Sequence, residues 1–172
     1  AHAAASPRLV LVQALAKGDR DELAIQAATE LGVDEVVPWQ ASRSVSRWSG
    51  PKIDKGIARW TSIVREAAKQ AHRAWLPQVT PPATTAQVAA RATKALVLVL
   101  EPTASVALTA VPLDDAPEIV LIVGPEGGVA AEELSTLADA GATAVRLGET
   151  VLRTSTAGPA ALAVLNARLR RW

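Results

Sequence analysis

The chain has 172 residues, 49% of them hydrophobic and 20% charged, which is typical of one globular domain with a sizeable core. It contains no cysteine and only two histidines, which argues against disulfides, metal sites built from these residues and a Ser-His-Asp triad. No apolar run approaches the roughly 20 residues of a membrane-spanning helix. We therefore expect a cytoplasmic protein with neither a metal nor a membrane partner.

The first predicted elements alternate between strand and helix. Residues 8–15 and 33–39 have the composition of strands. Between them, Asp19 and Glu22 have the spacing of a helix-capping box, and Gly32 is placed to end the helix. Helical periodicity predicts one buried face, formed by Leu23, Ala27, Ala28 and Leu31.

A serine- and arginine-rich loop at 41–50 precedes a long basic helix. Pro51 is suited to the first helical position. An apolar stripe runs to about residue 73 and consists of Ile53, Ile57, Trp60, Val64, Ala68 and Ala71. Residues 42–73 carry a net charge of +6, whereas the remainder carries −5. Such a patch favours a polyanion such as nucleic acid, although a solvated helix face explains the charge equally well.

After a Pro/Thr-rich joint at 76–87, the pattern becomes more apolar. Buried strands are predicted at 95–100, 118–123 and 142–147, and helices at 130–140 and 156–170, the last with Pro159 in its first turn. Aliphatic strands separated by helices predict an α/β fold whose mostly parallel sheet carries helices on both faces.

The turn Gly-Pro-Glu-Gly-Gly, residues 124–128, directly follows a predicted strand. Glycines at the carboxyl end of such a strand let the backbone approach a ligand. The turn matches neither the dinucleotide-binding fingerprint nor the Walker loop, and Glu126 would repel a phosphate. We therefore expect a ligand that is not a nucleoside polyphosphate, with a ligand-free tight connection as the alternative.

A second candidate loop, 146–160, leads into the last helix. Thr154, Ser155 or Thr156 is suited to cap that helix. Arg153 lies just before them, against the helix dipole, which predicts an acidic partner such as Glu126 or an anionic ligand. An ordinary surface arginine is the alternative.

Together these motifs resemble the catalytic domain of the bacterial enzymes that methylate N3 of a uridine in 16S ribosomal RNA, within the SPOUT superfamily of knotted methyltransferases. The matching stretches occur in the family's order and span most of the chain. They are KGDRDE (17–22), ATELGVDEVVP (28–38), SRSVSRW (42–48), RW (59–60), EAAKQAHR (66–73), GPEGG (124–128) and LGETVLRTSTA (147–157).

The resemblance implies a deep carboxyl-terminal trefoil knot, S-adenosyl-L-methionine as the methyl donor, and a homodimer acting on 16S rRNA of the small ribosomal subunit. Residues 1–172 would form the catalytic domain, with halves 1–76 and 84–172. In the family a small RNA-binding β-barrel precedes this domain, and we expect that it is missing here, as the absence of methionine also indicates.

The resemblance also implies roles for particular residues. Arg153 would stabilise charge on a uracil carbonyl, with Glu126, Glu149 or water as the base. The cofactor pocket would comprise Leu100, Glu101, Pro102, Gly124, Glu126, Gly127, Leu147, Gly148, Val151 and Leu152. RNA would contact Arg43, Arg47, Lys69, Gln70 and Arg73.

Two residues depart from the family pattern, because Val129 replaces a usual Phe and Ser155 replaces a frequent Glu. A mechanism that needs a carboxylate at position 155 is therefore in doubt. The alternatives are another SPOUT enzyme that modifies a ribose 2′-hydroxyl or a transfer-RNA base, and a non-catalytic RNA-binding or assembly module.

Overall fold

The structure, a computed structural model, describes residues 3–172, so His2 lies outside the described residues. One sheet contains β1 (Arg8–Ala14), β2 (Glu35–Trp39), β3 (Gln78–Val79), β4 (Leu96–Leu100), β5 (Glu118–Val123) and β6 (Thr143–Val145). The strand order is β3-β2-β1-β5-β4-β6, and every pairing is parallel. The prediction of an α/β fold with a mostly parallel sheet is confirmed.

Two apolar clusters cover the faces of the sheet. The helices are α1 (Arg20–Glu30), α2 (Pro51–Gln70), α3 (Thr85–Ala90), α4 (Ala131–Asp139) and α5 (Thr154–Arg168). In β1, Leu9 and Leu11 belong to the cluster packed by α1, α2 and α5, whereas Val10 and Val12 belong to the cluster packed by α3 and α4. Burial on both faces explains why the strands are almost continuously aliphatic.

The start of α1 differs from the expectation. Asp19 occupies the N-cap position but makes no side-chain capping hydrogen bond, so the predicted capping box is wrong. The predicted buried face is confirmed at Ala28 and wrong at Leu23, which is 48% exposed, and the buried residues of α1 are Asp21, Ala24, Ile25, Ala28 and Thr29. Tertiary packing has rotated the buried stripe by about one position. Gly32 follows the helix end with φ of 92°, as expected.

The long basic helix α2 follows the sequence pattern closely. Pro51 is its first residue, as predicted, and Trp60, Val64 and Ala68 are buried. Trp48, from the preceding loop, meets Trp60 edge to face with ring centroids 5.5 Å apart. This contact holds the serine- and arginine-rich loop against the helix.

The predicted joint at 76–87 contains structure of its own. It supplies β3, which pairs with β2, and the start of α3. Thr84 caps α3 reciprocally with Gln87: the Gln87 N–H donates to Thr84 Oγ1 at 3.2 Å, and the Thr84 N–H donates to Gln87 Oε1 at 2.9 Å. Because the prolines before Thr84 indicated a loop, the sequence pattern did not predict this capping box.

The last helix, α5, begins earlier than predicted. Its first residue is Thr154, and Arg153 occupies the N-cap position without a side-chain capping bond, so the predicted hydroxyl cap is wrong. Pro159 therefore lies inside the helix and not in its first turn. Gly158 faces β1, where an added Cβ would lie 3.0 Å from Leu11 Cδ1. This close approach sets α5 directly on the centre of the sheet.

Helices in the described part of the chain are all too short or too polar to cross a membrane.

Candidate functional site

A cavity of about 400 Å³ opens at the carboxyl ends of β4, β5 and β6. Nine of the ten predicted pocket residues line it, which are Leu100, Glu101, Pro102, Gly124, Glu126, Leu147, Gly148, Val151 and Leu152. Gly127 lies outside the lining, and its carbonyl oxygen accepts a hydrogen bond from Arg43 Nη1 at 3.0 Å. The structure thus gathers three separate loops around one concave site, the usual ligand position in a parallel sheet.

The glycine turn is shaped by its own close contacts. A Cβ at Gly124 would lie 2.7 Å from Val129 Cγ2 and 3.1 Å from the Val129 nitrogen, so any side chain there would force the turn to move. Gly128 has φ of 81°, and its N–H donates to the Pro125 carbonyl at 2.9 Å. Both glycines are therefore required by geometry before any ligand is considered.

A buried hydrogen-bond chain joins this turn to α5 and β1. Gln13 Nε2 donates to Thr154 Oγ1 at 2.9 Å and to the Thr154 carbonyl at 3.2 Å. The Thr154 hydroxyl in turn donates to the Gly124 carbonyl at 2.9 Å. Sequence reasoning assigned Thr154 only as a possible cap and missed Gln13. A glutamine inside an otherwise aliphatic strand is the signal that would have pointed to it.

Glu126 pairs with the turn between β1 and α1 and not with Arg153 as predicted. Its carboxylate accepts from the Lys17 N–H at 3.0 Å and from Arg20 Nη1 at 3.2 Å. Burial raises the pKa of Glu126, but the hydrogen bonds from its own N–H, from Lys17 and from Arg20 outweigh burial, so the net pKa lies below its ordinary value. A lowered pKa makes this carboxylate a weaker proton acceptor.

Asp21 braces the turn that holds Glu126. Its side chain is 5% exposed and accepts from the Ala16 N–H at 3.0 Å. Burial raises its pKa to about 6, with smaller upward contributions from the charges of Glu22 and Glu126 and opposing backbone hydrogen bonds. This group was not singled out by sequence, since its burial depends on how α1 docks against the sheet.

Arg153 lies on the cavity wall with an exposed side chain. No ion pair within residues 3–172 involves its guanidinium. Glu149 is exposed in the same bend but does not line the cavity. Arg153 is therefore a cation free to meet a ligand at the cavity, whereas Glu149 lies farther out.

The predicted RNA-binding residues lie in two places: Arg43 and Arg47 in the loop before α2, and Lys69, Gln70 and Arg73 at or just after its end. Arg43 reaches the glycine turn, and Arg47 Nη2 donates to the Ala41 and Ser42 carbonyls, both at 3.3 Å. Lys69 and Gln70 are exposed in the last turn of α2. Arg73 donates to the carbonyls of Thr29 and Val33, at the opposite end of the sheet.

Arg73 is consequently occupied by the protein itself. Its guanidinium is part-buried, lies 2.6 Å from the Val33 carbonyl oxygen and sits 3.8 Å from Asp34. Burial lowers the pKa of Arg73, and the Asp34 charge opposes that shift. These contacts tie the end of α1 to the segment after α2, so Arg73 serves the fold of this chain before any RNA is considered.

The loop carrying Arg43 and Arg47 is anchored by a buried glutamate. Glu133 accepts from the Ser42 N–H and hydroxyl, both at 3.1 Å, and from Thr85 Oγ1 at 2.7 Å. Its carboxylate is fully engaged in joining this loop to α3 and α4. Sequence reasoning missed Glu133, which resembles an ordinary first-turn helix glutamate.

These features define an α/β protein with a small-ligand cavity at the carboxyl edge of a parallel sheet. A family model for the RNA methyltransferase domain matches residues 4–166, so the chain belongs to that family. The family resemblance inferred from the motifs is thereby confirmed.

Similar proteins occur in several bacteria. A Mycobacterium bovis protein named ribosomal RNA small subunit methyltransferase E is 46% identical over 96% of this chain and 65% of its own length. A Bacillus subtilis protein of the same name is 32% identical over 92% of this chain, again covering 65% of its length. The chain thus spans about two thirds of the length of these curated relatives.

Two solved structures share the fold closely. A putative methyltransferase from Legionella pneumophila, solved with bound S-adenosylmethionine, has a TM-score of 0.88 and 35% identity, covering 95% of this chain and 67% of its own. A ribosomal RNA small subunit methyltransferase E from Neisseria gonorrhoeae, bound to S-adenosyl methionine, has a TM-score of 0.87 and 31% identity, covering 94% and 66%.

Proposed function

We propose that this chain is the catalytic domain of an S-adenosyl-L-methionine-dependent methyltransferase acting on N3 of a uridine in 16S rRNA of the small ribosomal subunit. The observation that carries the proposal is the cavity bounded by the glycine turn and the 147–153 bend, in a chain 46% identical to a ribosomal RNA small subunit methyltransferase E. Such a substrate implies action in the cytoplasm.

The residues present fit the proposed cofactor. The cavity is large enough for a ligand of this size, and Leu100, Val123 and Leu152 give it apolar walls suited to an adenine ring. Gly148 lines it, and a Cβ there would meet no protein atom within 4 Å. No phosphate has to be accommodated beside Glu126. The proposed contacts are those of the predicted pocket, with Gly127 supporting the turn from outside.

Arg153 is proposed to act on the substrate. Bound S-adenosyl-L-methionine supplies a methyl group on a positively charged sulfur. Uridine N3 becomes a good nucleophile only when its proton leaves, and the resulting negative charge spreads onto the uracil carbonyls. Arg153, free and on the cavity wall, would donate hydrogen bonds to such a carbonyl and stabilise that charge.

Glu126 is better suited to hold the site than to accept the proton. Its carboxylate already accepts from Lys17 and Arg20, and its pKa is lowered. We therefore assign the proton from N3 to water, or to Glu149 acting through a water, because Glu149 does not line the cavity. Glu126 would hold the glycine turn against the loop after β1 through these hydrogen bonds.

The fold offers support for a knot and a dimer. The chain leaves β6 at the edge of the sheet and returns through α5 to pack on β1 and β5 at its centre. A helix that crosses back over two strands in this way suits the proposed trefoil.

A homodimer would add the exposed Lys69 and Gln70 of a second copy to an RNA-binding surface whose residues lie in two separate places on one chain. The two halves, 1–76 and 84–172, share one sheet and are proposed to work as one catalytic domain.

Two measurements test the function. Isothermal titration calorimetry should detect binding of S-adenosyl-L-homocysteine, whereas no binding would favour a non-catalytic RNA-binding module. Mass spectrometry of nucleosides from treated small subunits should then detect 3-methyluridine. A 2′-O-methylated nucleoside or a modified transfer RNA would identify another reaction of the superfamily.

A further inference from the structure

Arg43 attaches the loop at 41–48 to the glycine turn from outside the cavity. Its Nη1 donates to the Gly127 carbonyl oxygen at 3.0 Å. The stem of the side chain packs on the turn, because a Cβ added to Gly127 would lie 3.5 Å from Arg43 Cβ and 3.7 Å from Arg43 Cδ. The neighbouring Glu126 and Gly128 line the cavity. One short turn therefore borders the proposed cofactor site and also contacts the proposed RNA-binding loop.

A second attachment fixes the loop just after the turn. Ser42 donates through its N–H and its hydroxyl to the Glu133 carboxylate, both at 3.1 Å. Glu133 also accepts from the Ala130 N–H at 3.4 Å, and Ala130 lies two residues after Gly128. Because the loop is fastened both to the turn and to the segment that follows it, we expect that ordering one of them restricts the other.

The guanidinium of Arg43 has donors left for a second partner. Its side chain is exposed, and among the residues that the structure describes its Nε and Nη2 make neither a hydrogen bond nor an ion pair. A guanidinium carries five N–H donors, so one Arg43 side chain can hold the Gly127 carbonyl and an RNA phosphate together.

We propose that Arg43 is a positioning residue that couples RNA binding to cofactor binding, which rests on the proposed function above. A phosphate that holds the guanidinium against the Gly127 carbonyl also orders one wall of the cofactor cavity. Since each ligand orders the same turn, the ligand that binds second loses less conformational entropy and binds more tightly. The effect is reciprocal, because coupling between two sites is one free energy.

The test compares two arginines of the same loop. Arg43→Met keeps the stem that packs on Gly127 but loses every donor. Arg47→Met is the matched control, because it removes the same charge from an exposed arginine that donates only to the carbonyls of Ala41 and Ser42, within its own loop. Both substitutions are at exposed positions, and thermal unfolding should confirm that both variants fold.

The measured quantity is the affinity for purified small ribosomal subunits with and without saturating S-adenosyl-L-homocysteine. In the unmodified chain the ligand should tighten this binding about fivefold or more. Arg43→Met should reduce the ratio to twofold or less. Arg47→Met should lower the affinity for subunits in both conditions and keep the ratio of the unmodified chain.

Three results would overturn the proposal. One is an unchanged ratio in Arg43→Met, and another is an equal loss of the ratio in both variants, which would trace the effect to the charge of the loop. The third is binding of both ligands to the unmodified chain without any mutual effect, which would leave the proposed function standing. If the unmodified chain binds neither ligand, the proposed function fails with the proposal.

Hydrogen exchange follows the turn itself. The Gly128 N–H donates to the Pro125 carbonyl at 2.9 Å, so its exchange reports opening of the turn. Small subunits without any cofactor should slow exchange at Gly128 in the unmodified chain and in Arg47→Met, but not in Arg43→Met. Exchange that the subunits leave unchanged in the unmodified chain would show that RNA does not order the turn and would also overturn the proposal.

Discussion

The Thr154 hydroxyl donates to the Gly124 carbonyl oxygen at 2.9 Å, and this bond fastens the first residue of the last helix to the glycine turn. Gln13 Nε2 completes the link from β1 by donating to the same hydroxyl at 2.9 Å. Three segments that are far apart in the chain therefore share one hydroxyl behind the cavity. The shape of the site depends on this contact as well as on the residues that face a ligand.

Thr154→Val, which preserves shape but removes the hydroxyl, should loosen this link. Gln13 would lose an acceptor and Gly124 a donor, so we expect the free energy of unfolding to fall by about 1–3 kcal/mol. Affinity for S-adenosyl-L-homocysteine should fall about tenfold by calorimetry. Thr154→Ser keeps the hydroxyl and is the matched control. Equal behaviour of the valine and serine variants would show that the link is unimportant.

Gly124→Ala should distort the turn, because its Cβ would lie 2.7 Å from Val129 Cγ2. We expect at least about a tenfold loss of S-adenosyl-L-homocysteine affinity, since a shifted turn misplaces one wall of the pocket. The double variant Gly124→Ala with Val129→Ala removes the clashing methyl and should recover much of the binding. No recovery would assign the loss to the backbone contact at the Val129 nitrogen, which lies 3.1 Å from the added atom.

Arg153→Ala should separate catalysis from cofactor binding. If the guanidinium stabilises charge on the uracil, turnover should fall at least about a hundredfold while S-adenosyl-L-homocysteine affinity stays within a few-fold. Single-turnover methylation and calorimetry measure the two effects. Arg153→Lys, which keeps the charge without the planar fork, should retain an intermediate rate. Nearly unchanged turnover in the alanine variant would remove Arg153 from the mechanism.

Arg47 and Lys69, which lie near opposite ends of α2, test separately whether each end contributes to RNA binding. Arg47→Glu should weaken RNA binding and flatten its salt dependence by about one unit of log–log slope, because a phosphate contact is lost. Lys69→Glu provides the comparison at the other end of α2 and should have the same effect only if a second copy completes the surface. Binding titrations at several salt concentrations measure both variants. Identical slopes in the unmodified chain and both variants would contradict the assignment.

Arg73→Ala should act mainly on stability. Its guanidinium holds the carbonyls of Thr29 and Val33, so its loss leaves acceptors without their donor. We expect a lower midpoint in urea unfolding with little change in the salt dependence of RNA binding. A large loss of RNA affinity in a fully folded variant would instead restore Arg73 to the binding surface.

Asp21 should make stability depend on pH. Burial raises its pKa from 3.8 to about 6, so the folded state binds more protons than the unfolded state between these values. Its stabilising contribution is therefore present below about pH 4 and is lost as the pH rises through 6, by at most about 3 kcal/mol. Urea unfolding between pH 4 and 7 should show a flatter profile in Asp21→Asn than in the unmodified chain. Parallel profiles would show that Asp21 titrates normally.

Local patterns in the sequence accounted for much of the fold. Continuous aliphatic runs predicted β4 and β5 because strands buried on both faces need apolar residues at every position. Pro51 predicted the start of α2 because proline loses nothing at the first helical position. The prediction was wrong at the start of α1, where two neighbouring aspartates could each have made the local hydrogen bond. Asp19 makes no side-chain capping hydrogen bond, and Asp21 is the one that is buried.

The sequence by itself determined the α/β order and the glycine turn, because periodicity and turn geometry are local properties, and its resemblance to a known family implied the residues expected around one pocket. Only the tertiary structure decided that Gln13 reaches Thr154, 141 residues away, and that Glu126 pairs with Arg20. The physical reason is that each of these contacts depends on which strand ends lie side by side, and strand order in a parallel sheet is set by long-range packing.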